Sequence, residues 1–266
     1  NLSFLANASY VKNEIKNLGN QTGYIDKESL PTLGTVSRNQ NGYPIGYFFG
    51  YKAIGVFQTQ EEIDNYISPA TGKPIQPNAV PGDTKFEDLN GDGVISDDNE
   101  DRTMIGKPNP DWMVGLTVAA DWNGFDLSAF FQGSFGADVF DALRRYELAA
   151  VNYTSDALER WTGPGTSNSM PRIVLGDTPK NFRPSTLLVH DASFLRLRNL
   201  QVGYTLPAQL TRKAYIQRLR FYASFDNLLT ITGYKGMDPE IGSTMGIDKG
   251  VYPQARVYTF GLNLTF

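Results

Sequence analysis

Tyr258-Thr259-Phe260-Gly261-Leu262-Asn263-Leu264-Thr265-Phe266 is the stretch that decides the fold. Apolar and polar residues alternate through it, and it finishes on an aromatic. In an extended strand Tyr258, Phe260, Leu262, Leu264 and Phe266 share one face, while Thr259, Gly261, Asn263 and Thr265 share the other. Such a strand can cover a soluble core. It also suits the closing strand of a membrane barrel, with lipid on one face and a polar lumen on the other.

The same alternation recurs upstream. Leu2 to Tyr10 is an alternating strand. Val114, Leu116, Val118, Ala120 and Trp122 form one apolar face, and Asn123-Gly124 follows as a two-residue hairpin signal. The return strand places Phe125, Leu127, Ala129, Phe131 and Phe135 outward, and Asp126, Ser128, Gln132 and Ser134 inward. Trp122 and Phe125 flank the turn, where an interfacial aromatic girdle would lie. Leu219, Phe221, Ala223, Phe225 and Leu229 form another apolar face. Arg220, Tyr222 and Asp226 lie opposite as lumen-facing candidates, either touching a solute or holding the strand to a plug through ion pairs. The structural role is favoured.

Segment 193–206 changes phase. Leu195 and Leu197 set one phase; Leu200, Val202, Tyr204 and Leu206 set the other. A β-bulge near Arg198-Asn199 explains the slip, as would a strand rising above the membrane at Arg196 and Arg198. Segment 47–57 reads as an aromatic strand whose two faces are not separable. Region 12–46 suggests two short strands, near 23–27 and 34–38, on no assignable side. Val139, Phe140, Leu143, Tyr146 and Leu148 recur at helical spacing within 138–162, and Ser155 to Trp161 suggests a further helical turn or two.

Loop lengths set the parity. Short turns belong to the periplasmic side of an outer-membrane barrel and long loops to the outside. The Asn123-Gly124 turn and the modest turn 207–217 then lie in the periplasm with the C-terminus, and 58–110, 137–190 and 232–250 are external.

The chain has 266 residues, 41% apolar and 12% aromatic, enough for one large domain or barrel. A net charge of -4 without a Lys/Arg block argues against nucleic acid. The absence of Cys excludes disulfides and thiolate chemistry, and the single His190 excludes multi-His metal sites. No apolar run reaches the roughly 18 residues of a membrane helix. The first residues show neither initiator Met nor signal segment, so an internal start is expected, with the chain a C-terminal piece of something longer.

One motif points to an ion. Asp88, Asn90 and Asp92 occupy positions 1, 3 and 5 of a calcium-type loop, Gly93 is the turn, and Val94 supplies a carbonyl. Position 12 is Asn99, which cannot be a carboxylate; Glu100, Asp98 or Asp101 would substitute in an offset loop. The alternative is an Asx-rich turn closed by its own hydrogen bonds. The acids Asp97, Asp98, Glu100 and Asp101 could be paired catalytic carboxylates, but without an aromatic sugar platform beside them they read as solvated loop or part of the ion site. His190, Asp191 and Ser193 form no triad on an extended segment, where neighbours point to opposite faces, and His190 is expected in a loop at a strand entrance. No catalytic set emerges, so the chain reads as a non-enzyme.

Ordered along the chain stand Gly46-Tyr47-Phe48-Phe49-Gly50-Tyr51, Gly55-Val56-Phe57-Gln58-Thr59, Asp88-Leu89-Asn90-Gly91-Asp92-Gly93 and Arg102 to Pro110. Then come Asp191-Ala192-Ser193-Phe194-Leu195-Arg196-Leu197-Arg198-Asn199, Gly203 to Pro207, Asp226-Asn227-Leu228-Leu229-Thr230, Gly236-Met237-Asp238-Pro239-Glu240 and Tyr252 to Arg256. This series resembles the C-terminal part of SusC/RagA-like TonB-linked outer-membrane transporters of Bacteroidetes, over essentially the whole chain. The resemblance implies an all-β fold, residues 1–266 being the last third or so of a 22-stranded antiparallel barrel. On that resemblance the plug, the TonB-contacting segment and the early strands are absent from this chain. It implies import of oligosaccharides or peptides with a SusD-like surface lipoprotein as lid. The implied partners are the TonB complex, the remaining strands and lipid or lipopolysaccharide. Between Ile95 and Arg102 the loop is longer than the family's usual spacing. Thr259, Gly261, Leu264 and Phe266 match the pattern read by the barrel-assembly machinery. The rival reading from the residues is a soluble calcium-binding β-sandwich or carbohydrate-binding module; a related barrel with a scaffolding role is a second.

Overall fold

The computed structural model describes residues 1–31, 33–97, 100–144, 152–241 and 245–266. In chain order the strands are β1 (Leu2–Tyr10), β2 (Tyr24–Leu30), β3 (Gly34–Gln40), β4 (Tyr47–Tyr51), β5 (Ala53–Val56), β6 (Thr84–Phe86), β7 (Arg102–Gly106) and β8 (Trp112–Trp122). They continue with β9 (Phe125–Phe135), β10 (Asp138–Asp141), β11 (Val189–Asp191), β12 (Phe194–Thr205), β13 (Arg218–Thr232), β14 (Ile247–Asp248) and β15 (Val257–Thr265). Two short helices are α1 (Gln60–Asp64) and α2 (Ala208–Thr211).

A single antiparallel sheet, ordered β1-β8-β9-β12-β13-β15, forms a wall. The register sets its two faces. Phe4 pairs with Val118, which pairs with Ala129, so apolar residues align across strands. The outward row continues through Leu200, Phe225 and Tyr258. Among the described residues no second sheet covers this face: Phe4 is 66% exposed and Phe260 76%. That arrangement overturns the soluble-sandwich reading, because a sandwich buries the apolar face of its sheet.

The hairpin at Asn123-Gly124 has positive φ at both residues, 48° and 85°, the geometry that matches strand twist. The phase slip in β12 is a β-bulge: the register shifts between Leu197 and Asn199 against both β9 and β13. Leu195, Leu197, Leu200 and Val202 thereby all stay on the outward face.

All long connections leave one end of the wall. Segments 11–111, 136–193 and 233–256 emerge there, while the turns 123–124 and 206–217 lie at the other end. The long segments fold into a rim. It holds the sheet β2-β3-β4-β7, the pair β5-β6 and the sheet β11-β10-β14, in which β10 and β14 run parallel. One core joins all three segments: Val36 and Phe48 from the first, Phe140 and Leu188 from the second, Ile247 from the third. Buried apolar side chains drawn from distant segments lock the loops together.

Several expectations change here. Segment 47–57 is two strands, β4 and β5, broken at Lys52, and both belong to the rim. Gly50 explains the close approach there: a Cβ would lie 2.4 Å from the Pro184 carbonyl oxygen. Region 12–46 joins the rim through β2 and β3. The helix expected from Val139 is not formed at its start, because β10 pairs with β11 and buries Val139 and Phe140. Tyr146 and Leu148 lie outside the described residues. Ser155–Glu159 is a 3-10 turn, as expected. His190 belongs to β11 rather than a loop.

Candidate functional site: the polar face and its rim clamp

The inner face of the wall carries the polar residues. Arg220 on β13 reaches across β12 to Asp126 on β9, donating from Nε (2.9 Å) and Nη2 (2.5 Å). The ion pair crosses over Gly203, where a Cβ would lie 2.6 Å from Asp126 Oδ1. Tyr222 lies over Gly261 in the same way, with its ring 2.5 Å from where a Cβ would be. Glycine here provides a groove for a neighbouring side chain. Asp226 accepts a hydrogen bond from Asn199 Nδ2 (2.7 Å), which also donates to Ser224 Oγ. The three lumen-facing candidates therefore share one face, and each is engaged within the wall. Leu5, Met113 and Phe130 interrupt the polar pattern and are 70%, 46% and 37% exposed. Sequence reasoning passed over these three, although their register position is legible once pairing is known.

At the rim end of this face the bulge builds a clamp. Arg196, 2% exposed, donates to Thr230 Oγ1 (2.8 Å), Glu240 Oε2 (3.0 Å) and Asp238 Oδ1 (2.5 Å). Arg198 donates to Gln132 Oε1 (2.6 Å), Asn227 Oδ1 (3.1 Å) and both oxygens of Glu240. Asn227 takes φ 53°, a left-handed conformation that Asn tolerates, and donates to the Ala255 carbonyl. Asp238 also accepts from the Glu240 and Gln254 amides. Burial acts to raise its pKa, but those two amides and Arg196 outweigh it and hold the carboxyl below its ordinary value. The clamp pins segment 233–256 against the wall. It unites four of the stretches that carried the resemblance, those around Arg196, Asn227, Asp238 and Gln254. Sequence reasoning named these residues but missed their convergence; the available signal was two Arg residues at a phase slip in a strand.

The acidic loop is closed by its own side chains. Asp88 accepts from the Gly91 amide (2.8 Å) and the Gly93 amide (2.9 Å), Asn90 from Asp92, and Asp92 from Val94. Asn90 Nδ2 donates to both Asp92 Oδ2 (2.9 Å) and Glu100 Oε2 (3.0 Å). Asp101 is buried and accepts from Leu89 and Ser96. Among the described residues no group of three or more His, Cys, Asp or Glu side chains is arranged to hold a metal. Asp98 and Asn99 lie outside the described residues. His190 Nε2 is 3.7 Å from Asp141 Oδ2, beyond hydrogen-bond reach.

Of the assembly-pattern residues, Thr259 and Gly261 face inward, paired with Ser224 and Tyr222. Leu264 pairs with Leu219 on the outward face, and Phe266 is 74% exposed.

A wall with one exposed apolar face, one polar face, short turns at one end and a folded rim at the other defines a portion of a large transmembrane β-barrel. No protein-family model matches the chain. It is 34% identical over 238 residues to TonB-dependent receptor P3 of Formosa agariphila, covering 85% of this chain and 23% of the relative. It is 30% identical over 263 residues to TonB-dependent receptor SusC of Bacteroides thetaiotaomicron, covering 98% of this chain and 24% of that one. In structure it is similar to a chain of the RagAB peptide transporter, with TM-score 0.73 and 26% identity over 100% of this chain and 27% of that one. The chain belongs to the SusC/RagA-like TonB-dependent receptors. It spans about a quarter of the length of the curated relatives it matches.

Proposed function

We propose that this chain is part of the wall and outer rim of an energy-coupled outer-membrane nutrient importer. The single observation behind this reading is the uncovered apolar face of a six-stranded sheet backed by a polar inner face. Lipid is the solvent that suits such a face. The free edges of β1 and β15 would pair with the remaining strands of the barrel, because open edges are not tolerated in a bilayer. The long-segment rim would face outward, and the short turns with Phe266 the periplasm. TonB would supply energy through a plug-bearing part, and a SusD-like lipoprotein would cover the rim, as the RagAB likeness suggests. The cargo would be an oligosaccharide or a peptide.

The test is uptake of fluorescent oligosaccharides and peptides by cells carrying or lacking the gene. Loss of one class on deletion, restored by complementation, is expected. Unchanged uptake of both, with the protein still in the outer membrane, would favour the scaffolding role. Deleting Phe266 is expected to reduce the heat-modifiable folded form, which wild-type levels would refute.

A calcium ion in loop 88–101 is part of the proposal. Its ligands would be Asp88, Asn90, Asp92, the Val94 carbonyl and Glu100. The Asp92 and Glu100 carboxylates already converge on Asn90 Nδ2, and a bound ion would take the place of those two hydrogen bonds with the Asn90 amide turned to offer its oxygen. Calcium is expected to raise the melting temperature of the wild type and not of Asp92→Ala. Identical responses would remove the ion from the account.

A further inference from the structure

We propose that the rim contains a ligand site of its own, a cavity of about 730 Å³, for a small carboxylate-bearing molecule with an apolar body. It lies between segments 71–79, 93–97 and 178–183, apart from the inner face of the wall. Its apolar lining includes Ile75, Pro77, Val94 and Ile95. Val94 is 55% exposed, so this surface is open to a ligand.

Charge gives the site its sign. Lys73, Lys180 and Arg183 line it, against the acids Asp97 and Asp83. Asp97 is shared, pairing with Lys180 and lying 3.7 Å from Arg183 Nη1. Asp83 is buried and held by Arg172 (2.6 Å) and Asn181 (3.1 Å). The lining is thus cationic in a chain whose net charge is -4. No aromatic ring lines the cavity among the described residues, so it offers no stacking platform for a neutral sugar.

The walls are held before any ligand arrives. The Gln76 side chain donates to the Thr84 carbonyl and accepts from the Phe86 amide, fastening its segment to β6. Asp177 and Lys180 both take left-handed backbone, φ 43° and 59°. The Asp177 carboxylate secures that turn by accepting from the Asn181 and Phe182 amides (2.8 and 2.9 Å). Strained backbone kept in place by its surroundings is a feature of ligand sites. Arg183 stacks over Tyr51 and Phe86, 4.8 and 5.0 Å from the ring centres, which fixes the cationic wall. A preformed, partly apolar cavity with a few convergent charges suits a small anionic ligand.

The probe is N-acetyl-leucine, with N-acetyl-leucinamide as its uncharged counterpart. Binding is measured by saturation-transfer NMR and calorimetry on the intact detergent-solubilised protein. The acid is expected to bind about tenfold more tightly than the amide, the scale of one charge-assisted contact. Lys73→Gln should weaken the acid severalfold and leave the amide unchanged. Val94→Asp should weaken the acid more, by placing a like charge in the cavity. Equal binding of acid and amide overturns the proposal, as does acid binding that neither substitution changes, or no binding of the acid. Import is not measured, so failure of the transport reading leaves this result standing.

Discussion

Arg196 shows how much one buried charge can organise. It is 2% exposed, yet its guanidinium meets two carboxylates and a hydroxyl. Removing one partner of a buried pair costs about 3–5 kcal/mol, because the other charge stays buried and unpaired. Arg196→Met should therefore release segment 233–256 while the wall stays folded. Hydrogen exchange is expected to rise across 236–256 and to stay unchanged in β8 and β9; uniform change would refute the clamp. Acid should act on the same contact. The folded carboxyl of Asp238 lies below its ordinary value, so its contribution is complete above that value and is lost as pH falls through the lower, folded one. Protection of 236–256 should fall below about pH 4, the ordinary carboxylate range, and less so in Asp238→Asn, which has no proton to gain.

At the scale of elements, periodicity carried most of the information. Period-two alternation in β8, β9, β13 and β15 was legible because each strand keeps one face apolar along its length. It failed in β4, whose residues are buried on both faces and show no alternation. It also misread Val139 and Phe140, where a short apolar run fits helix and strand equally and pairing with β11 decides. The bulge in β12 is the clearest success. Against β9 its residue Arg198 is one extra position, so deleting it leaves Leu197, Asn199 and Leu200 in regular alternation there, while against β13 the extra residue stays in β13. Deletion of Arg198 should give a folded, heat-modifiable barrel whose 233–256 segment is more readily cleaved by protease. A barrel that fails to assemble would show that the bulge is needed for pairing itself.

For the molecule as a whole, the rim behaves as one unit because its core is shared. Phe48 is fully buried among residues of all three long segments. Phe48→Ala should cost about 3–5 kcal/mol, the usual penalty for a large cavity, and that loss should appear in every rim segment at once. Exchange is expected to rise in 34–40, 138–141 and 247–248 together while the β9-β12-β13 wall is unaffected. An effect limited to 34–56 would mean the segments fold separately.

By itself the sequence determined the strands of the wall, their faces, the order of short and long connections, and the family. These follow from local alternation and from ordered short motifs, which need no knowledge of distant contacts. Only the tertiary structure decided that region 12–46 and segment 47–57 belong to the rim, that Arg220 and Asp126 pair over Gly203, and that Arg196 and Arg198 meet Asp238 and Glu240. Each depends on residues tens of positions apart, and no local pattern encodes which distant partner satisfies a buried charge. The closing stretch, Tyr258–Phe266, shows both halves: its alternation was plain from the residues, but the bedding of Tyr222 on Gly261 appeared only when β13 was laid beside it.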